Sequence, residues 1–161
     1  MAETILQKIV ERGHYKFVDR VDSWQEGVKL SCASLAKTGY VSENYYQQIV
    51  DCIEKYGPYV VFEHYVAMPH SQEGAEGANQ TAVGFMRVKE DVYFGKDEDG
   101  EDKIARLFFT LAAKDPNEHL DNMQQLMQIF TNEPLLDALM AANTPEDILK
   151  AEADYPPEDD I

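Results

Sequence analysis

Two of the four histidines, His70 and His119, stand where a side chain can meet an anionic ligand. Pro69 fixes its own φ angle and holds Met68 extended, so His70 is presented from a stiff strand end. His119 falls in the first turn of a predicted helix, just beyond a buried strand, which is the usual ligand edge of an open α/β sheet. The partial positive charge of a helix N-terminus favours an anion and disfavours imidazolium. Together these positions favour transfer of a phosphoryl group.

Spacing alone also permits other interpretations of these histidines. The two side chains could be unrelated, each satisfied by local contacts, and from spacing alone this is the simpler interpretation. His64 and His70 are an even number of residues apart, so an unbroken strand would place them on one face, with Glu63 nearby as a metal ligand. A closed zinc site needs four ligands, no further ligand has a sensible spacing, and Pro69 interrupts the alternation. No metal site is therefore expected.

Two further interpretations concern the remaining histidine and a hydrolytic reaction. His14 follows a predicted polar helix and is expected to lie on the surface without a functional role. A hydrolase that uses His70 and Glu73 as its acid and base is disfavoured, because no set of nucleophile, base and orienting residue is apparent.

The charge of the chain limits its partners. Thirty acidic residues against fourteen basic residues give a formal net charge of −16 over 161 residues. Such a surface repels nucleic-acid phosphates and anionic membranes, so neither is expected as a partner. Recognition by a basic protein, or simple solubility, accounts for the acidity equally well. The length and the 44% hydrophobic content predict one globular domain.

The cysteines and the apolar runs bear on the cellular compartment. Cys32 and Cys52 are far apart and form no CxxC motif, which is typical of reduced thiols in a cytoplasmic protein. The first residues do not resemble a signal peptide, and no apolar run reaches the roughly 20 residues of a membrane-spanning helix. A cytoplasmic protein without direct membrane insertion is therefore expected.

Periodicity and turn signals predict the helices and strands that must position the histidines. Helices are predicted at 3–12, 22–37, 42–56, 116–130, 133–141 and 145–151, and strands at 15–21, 59–62, 65–68, 81–88, 92–95 and 104–113. The last strand is a long and largely apolar run, as expected for a central strand that is covered on both faces. This order predicts a single α/β domain with a mixed parallel and antiparallel sheet flanked by helices on both faces.

Local signals predict several helix starts and one buried helix face. Asp22 is predicted to be the N-cap of the second helix. Asp115, Pro116 and Glu118 predict the start of the helix that carries the last histidine. The apolar stripe of that helix is predicted to be buried and consists of Leu120, Met123, Met127 and Phe130.

Two stretches lack residues that could form a core. Residues 71–80 contain two glycines and polar side chains, which predicts a mobile loop. Residues 152–161 carry five acids and no base, which predicts a disordered acidic tail. The domain is accordingly predicted to span residues 1–151.

Four motifs occur in a fixed order, with the loop lengths between them kept: GPYVV (57–61), AMPH (67–70), LAAKDPNEH (111–119) and MQQLMQIF (123–130). In this combination the chain resembles the mannitol/fructose-type enzyme IIA family of the bacterial phosphotransferase system, and within it the ascorbate-like branch. The similarity extends from about Asp22 to Leu149. The resemblance implies the fold of the mannitol-type enzyme IIA, with His70 as the residue that carries phosphate and His119 as the residue that orients and stabilises the transfer.

The resemblance also implies a place in a phosphoryl relay. A phosphotransferase of this family takes phosphate from the carrier protein HPr and passes it to a cysteine of enzyme IIB. From there it reaches an ascorbate-like or related sugar that crosses the membrane through enzyme IIC. No metal or organic cofactor is implied, because the phosphoryl group already sits on an activated nitrogen. The alternative is a regulatory enzyme-IIA-like module whose phosphorylation state another protein senses.

Overall fold

A mixed β-sheet forms the centre of the protein and positions the histidines. The computed structural model describes residues 4–70 and 77–156, which form five strands. These strands are β1 (Tyr15–Val18), β2 (Val61–Phe62), β3 (Val66–Ala67), β4 (Ala82–Lys96) and β5 (Asp102–Ala112). Their spatial order is β1-β4-β5-β3-β2, with β1 parallel to β4, β3 parallel to β5, and the other two pairs antiparallel.

Helices cover both faces of this sheet. The described residues form α1 (Ile5–Arg12), α2 (Trp24–Lys37), α3 (Tyr45–Tyr56), α4 (Pro116–Phe130), α5 (Glu133–Met140) and α6 (Pro145–Asp154). On one face, Leu35 of α2 and Ile49 of α3 lie in a buried cluster with Phe108. On the other face, Leu126 of α4 lies in a second cluster with Phe109 and with residues of α1, α5 and α6. The predicted fold class is therefore confirmed. Within the described ranges, every helix is too short or too polar to cross a membrane.

The central strand of the sheet is β5, as its continuous apolar sequence predicts. Phe108 and Phe109 are neighbours along β5, are both fully buried, and belong to the clusters on opposite faces. Along one side of β5 runs β4, which pairs with it from Ala82 onward. The strands predicted at 81–88 and 92–95 are therefore one strand in the structure. An irregularity in the β4–β5 register lies between these two predicted strands, at the point where the sequence pattern breaks.

Two helix starts were predicted from capping signals, and one of them differs in the structure. At the start of α4 the Asp115 carboxylate accepts a hydrogen bond from the Glu118 N–H (2.9 Å), as predicted. At the start of α2 the N-cap is Ser23 instead of Asp22, and its hydroxyl accepts from the Glu26 N–H (3.1 Å). Both residue types suit an N-cap, and Ser23 is the one whose extended backbone leads into the first turn.

The buried face of α4 is rotated from the predicted one. Leu120 and Met127 of the predicted stripe are 59% and 39% exposed, whereas Leu126 and Ile129 are buried against the sheet. The other two members of the predicted stripe are half-buried at the margin of the core. The helix carries two overlapping apolar stripes, and helical spacing does not distinguish which of them meets the sheet. The rotation leaves Leu120 exposed directly after His119.

The predicted acidic tail needs a correction at its start. α6 continues to Asp154, and Glu152 is 9% exposed and accepts a hydrogen bond from the Thr4 hydroxyl (2.8 Å). Residues 152–154 therefore belong to the domain, because α6 needs its last turn to pack beside α1. The remainder of the predicted tail, from residue 157 onward, lies outside the described residues.

The predicted mobile loop at 71–80 also falls partly outside the described residues. Residues 71–76 lie outside the described residues. Glu73, the second residue of the hydrolytic interpretation, is one of them. Within the described part of this stretch, Ala78 forms an isolated antiparallel bridge with Val41 and is 5% exposed. The stretch thus contributes at least one residue to the core, contrary to the prediction.

Candidate functional site

His70 and His119 lie at the same edge of the sheet. Because β3 and β5 are parallel, their carboxyl ends meet at one edge, and beyond the end of β3 the Leu111 N–H donates to the Pro69 carbonyl (2.9 Å). His70 is the next residue along the chain. At the same edge α4 follows β5 and carries His119 in its first turn. His119 is close enough to His70 for the charges of the two side chains to interact. The structure thus brings the two residues together, and their roles stay predictions.

A hydrogen bond within the Met68–His70 turn selects the tautomer of His70. The His70 Nδ1 atom lies 2.6 Å from the Met68 carbonyl oxygen. A carbonyl can only accept a hydrogen bond, so we assign the proton of the neutral imidazole to Nδ1. The lone pair is then on Nε2, at the far side of the ring. This arrangement leaves Nε2 as the nucleophilic nitrogen.

The surroundings of His70 keep its imidazole neutral. Burial lowers the pKa of His70 below its usual value, and electrostatic repulsion from His119 lowers it further. The hydrogen bond to the Met68 carbonyl acts in the opposite direction but does not outweigh burial. Near pH 7 the side chain is therefore predominantly the uncharged form, which is the form that can attack phosphorus.

His119 contributes a nitrogen without a partner. Its Nδ1 atom is buried and makes no hydrogen bond to any residue in the described ranges. An unpaired polar atom of this kind costs free energy on the order of 1–3 kcal/mol relative to a satisfied one. A phosphoryl oxygen on His70 has the right chemistry to accept a hydrogen bond from this nitrogen in its N–H form. An unpaired nitrogen on a residue that interacts with His70 is therefore compatible with an anionic group bound at this edge.

The main-chain N–H groups at the start of α4 are less available to an anion than the sequence implies. The Glu118 N–H is bound by the Asp115 carboxylate (2.9 Å), and the His119 N–H by the Asp115 carbonyl (3.0 Å). Just before the helix, the Thr81 hydroxyl accepts from the N–H groups of Lys114 and Asp115 (2.9 and 2.7 Å). These bonds fix the turn between β5 and α4. The anion site that the sequence predicts at this helix start therefore depends more on the His119 side chain than on these main-chain groups.

Tyr59 is a site residue that the sequence analysis does not identify. Its hydroxyl donates a hydrogen bond to the main-chain carbonyl of His70. Its ring stands edge-to-face against the imidazole, with 5.2 Å between ring centroids and an interplanar angle of 88°. In the sequence, Tyr59 is marked only by its place in the GPYVV motif, and the pattern there predicts a strand that includes it. The structure places it instead in the segment before β2.

His64 lies at the opposite end of β3 from His70. It sits in the turn between β2 and β3, where His64 and Tyr65 adopt left-handed backbone conformations (φ 62° and 63°). Its Nε2 atom pairs with the Asp137 carboxylate of α5 (2.7 Å). The described residues therefore contain no unbroken strand that would align His64 with His70. Within these ranges no three His, Cys, Asp or Glu side chains are arranged to hold a metal ion.

His14 is buried, contrary to the expectation of a surface position. Gly13 ends α1 with a φ of 73°, which turns the chain back so that His14 enters the space between α1 and the end of α2. The imidazole Nε2 lies 2.9 Å from the Thr38 hydroxyl, and the ring packs edge-to-face on Tyr40. Burial, followed by the positive charge of Arg12, lowers the pKa of His14 to about 4.

The stability of the fold should fall between pH 6.5 and about pH 4 because of His14. In the unfolded chain this histidine titrates near its usual pKa of 6.5, whereas in the folded protein its pKa is about 4. As the pH falls, the unfolded chain binds the proton first, so the native state loses up to roughly 3 kcal/mol of free energy of unfolding over this range. Urea unfolding of the wild type and of His14→Gln at several pH values measures the effect.

The glutamine can keep the hydrogen bond to Thr38 but does not titrate, so His14→Gln should show a shallower pH dependence than the wild type. Equal slopes for the wild type and His14→Gln would contradict the prediction.

The chain matches one family model over most of its length. Residues 8–152 match the family described as "Phosphoenolpyruvate-dependent sugar phosphotransferase system, EIIA 2". The ascorbate-specific PTS system EIIA component of Escherichia coli (strain K12) is 30% identical over 142 residues, which cover 88% of this chain and 90% of the relative.

Solved structures of PTS IIA domains share the fold of this chain. A PTS IIA domain from Streptococcus pyogenes M1 GAS superposes with a TM-score of 0.80 at 30% identity, covering 96% of this chain and 97% of the other. The complex of enzyme IIAMTL with phosphorylated enzyme IIBMTL from Escherichia coli superposes with a TM-score of 0.69 at 27% identity, covering 86% of this chain and 94% of the other. These neighbours share the sheet and helices that bring His70 and His119 to one edge.

Proposed function

This chain belongs to the EIIA 2 family of the phosphoenolpyruvate-dependent sugar phosphotransferase system, and we propose that it accepts a phosphoryl group from phospho-HPr on His70 and passes it to an enzyme IIB. Components of this family are phosphotransferases. The observation that carries the proposal is the bond from His70 Nδ1 to the Met68 carbonyl (2.6 Å), which leaves Nε2 with its lone pair. A neutral, oriented nitrogen at an exposed sheet edge is what a phosphoryl carrier requires.

The first step is an in-line displacement at phosphorus. The lone pair of His70 Nε2 forms a new N–P bond while the N–P bond of phospho-HPr breaks, and the electron pair of the broken bond stays on the HPr imidazole. The proton on His70 Nδ1 remains hydrogen-bonded to the Met68 carbonyl, so the new cationic ring is stabilised where it forms. Such transfers pass through a loose transition state, for which a protein supplies positioning and electrostatic stabilisation.

In this proposal His119 stabilises the phosphoryl oxygens. Its buried Nδ1 has no partner in the described residues, and His119 interacts electrostatically with the acceptor imidazole. A donor that is already fixed in place needs no reorganisation at the moment of reaction, which is why such donors accelerate transfer. The main-chain N–H groups of α4 contribute less, because Asp115 occupies two of them.

The second step passes the phosphoryl group to a cysteine of enzyme IIB, from which it reaches sugar moving through the membrane component, enzyme IIC. Support for this partner comes from the structural neighbour that is a complex with phosphorylated enzyme IIBMTL. Support for an ascorbate-like or related sugar comes from the ascorbate-specific relative, which is 30% identical. The proposed site of action is the cytoplasm, where the carrier protein and the cytoplasmic side of the transporter meet.

Incubation with phosphoenolpyruvate, enzyme I and HPr tests the proposal. We expect the intact mass to increase by one phosphoryl group and peptide mapping to place that group on His70. A phosphohistidine is a phosphoramidate, so the label should be lost in acid and kept in alkali. A reaction without enzyme I is the control and should leave the mass unchanged. A wild-type protein that stays unlabelled would refute the proposal, and a labelled protein that transfers to no enzyme IIB would favour a regulatory module.

A further inference from the structure

We infer that Tyr59 is a positioning residue for His70, which fixes both the main chain and the imidazole of the phosphoryl acceptor. The inference rests on the proposed function of His70. Two contacts carry it: the Tyr59 hydroxyl donates to the His70 carbonyl, and the Tyr59 ring packs edge-to-face on the imidazole at 5.2 Å. The Tyr59 side chain thus contacts both the main chain and the imidazole of His70. The positions of these two groups determine the direction of Nε2.

The contacts of Tyr59 complete a set that restrains His70 from several sides. The Pro69 carbonyl just before it is held by the Leu111 N–H of β5 (2.9 Å). The imidazole is held from within the turn by the Met68 carbonyl (2.6 Å). Tyr59 adds a third restraint, on the main-chain carbonyl of His70 itself. Removing it should free the carbonyl and widen the range of directions of Nε2.

The segment that carries Tyr59 is itself well anchored. Gly57 ends α3 with a φ of 88°, and its carbonyl accepts from the Tyr59 N–H (2.8 Å). The next residue, Val60, is fully buried, and its carbonyl accepts from the Met68 N–H (2.8 Å). Tyr59 is half-buried against the cluster on the α2–α3 face of the sheet. The tyrosine is therefore attached to the core and can act as a fixed support.

The two contacts have separable consequences. The hydroxyl bond fixes the main chain, so its loss should slow transfer by misplacing Nε2. The ring shields the imidazole from water, and burial is the largest cause of the lowered pKa of His70. Its loss should therefore raise the pKa of His70 towards the usual value. His119, from α4, and Tyr59 itself are the titratable groups that face His70 in the described structure, so the comparison keeps His119 unchanged.

Two variants separate these consequences. Tyr59→Phe keeps the ring and removes the hydroxyl, and we expect phosphoryl transfer from HPr to slow by about tenfold, with the pKa of His70 unchanged, because small misplacements of a reacting group are costly. Tyr59→Ala removes both contacts, and we expect slower transfer together with a higher pKa of His70. Tyr155→Phe is the control, since it also removes a tyrosine hydroxyl, from a partly exposed side chain directly after α6, and should transfer at the wild-type rate.

The measurements are quenched-flow rates of transfer from phospho-HPr and the titration of His70 followed by NMR of its ring nitrogens. A role confined to folding would lower thermal stability without changing the rate or the titration of the folded protein. If the wild type is labelled on His70 and Tyr59→Phe transfers as fast as Tyr155→Phe, the inference is wrong and the proposed function stands. If the wild type is not labelled, the proposed function fails first. Should Tyr59→Ala not fold, the rate of Tyr59→Phe decides alone.

Discussion

Phosphoryl acceptance is expected to disappear when His70 is replaced by glutamine. The glutamine side chain is of similar length, but its amide nitrogen has no lone pair available for attack on phosphorus. The protein should stay folded, because His70 lies half-buried at the sheet edge and outside both core clusters. Intact mass after incubation with phosphoenolpyruvate, enzyme I and HPr measures the result. His64→Gln, at the other end of β3, is the control and should be labelled like the wild type.

The pH dependence of wild-type acceptance should agree with this assignment. Imidazolium cannot attack phosphorus, and burial followed by repulsion from His119 lowers the pKa of His70 below its usual value. Acceptance should therefore persist as the pH falls through 6.5 and decline only at lower pH, where the ring becomes protonated. Undiminished labelling of His70→Gln would show that another residue is the acceptor, and the assignment of His70 would then be wrong.

Replacement of His119 by alanine should slow the transfer without abolishing it. The acceptor nitrogen of His70 remains, but the donor proposed to stabilise the phosphoryl oxygens is gone. Removal of one such donor costs on the order of a hundredfold in rate, or roughly 3 kcal/mol in the barrier. The final extent of labelling should equal that of the wild type. Quenched-flow measurements of transfer from HPr and onward to enzyme IIB give the two rates separately.

The stability of His119→Ala is part of the same prediction. The Nδ1 atom of His119 has no hydrogen-bond partner in the described residues, so its removal breaks no bond there and should change the free energy of unfolding little. Glu118→Gln, which changes an exposed side chain of the same turn, is the control for local charge. Wild-type rates in both steps for His119→Ala would show that this histidine is a bystander.

The parts of the fold that local signals determine were predictable. Asp115 caps α4 because a carboxylate near the first free N–H groups is favourable in almost any tertiary context. The largely apolar run of β5 indicates a strand covered on both faces, and in the structure every side chain from 107 to 112 is buried. From these two elements follows the sheet edge at which His119 lies.

Features that depend on distant contacts were not predictable in the same way. The burial of His14 requires Thr38 and Tyr40, which belong to the end of α2 and the turn after it. The contact of Tyr59 with His70 requires β2 and β3 to pair antiparallel and return the chain to its starting edge. Sequence patterns report the type and periodicity of each segment, whereas these contacts depend on how the segments pack.

The parallel pairing of β3 with β5 has a consequence for the order of assembly. The β4–β5 hairpin joins neighbours in sequence, whereas Val66 must find Leu107, and Tyr15 must find Phe85, across long intervening stretches. Pairings of this kind carry the larger loop-closure entropy and form slowly. The placement of His70 beside His119 at one edge of the sheet therefore arises only when these pairings are complete. Under the proposed function, a chain that is still folding would not yet accept a phosphoryl group, so newly made molecules would take no phosphate from HPr until they are native.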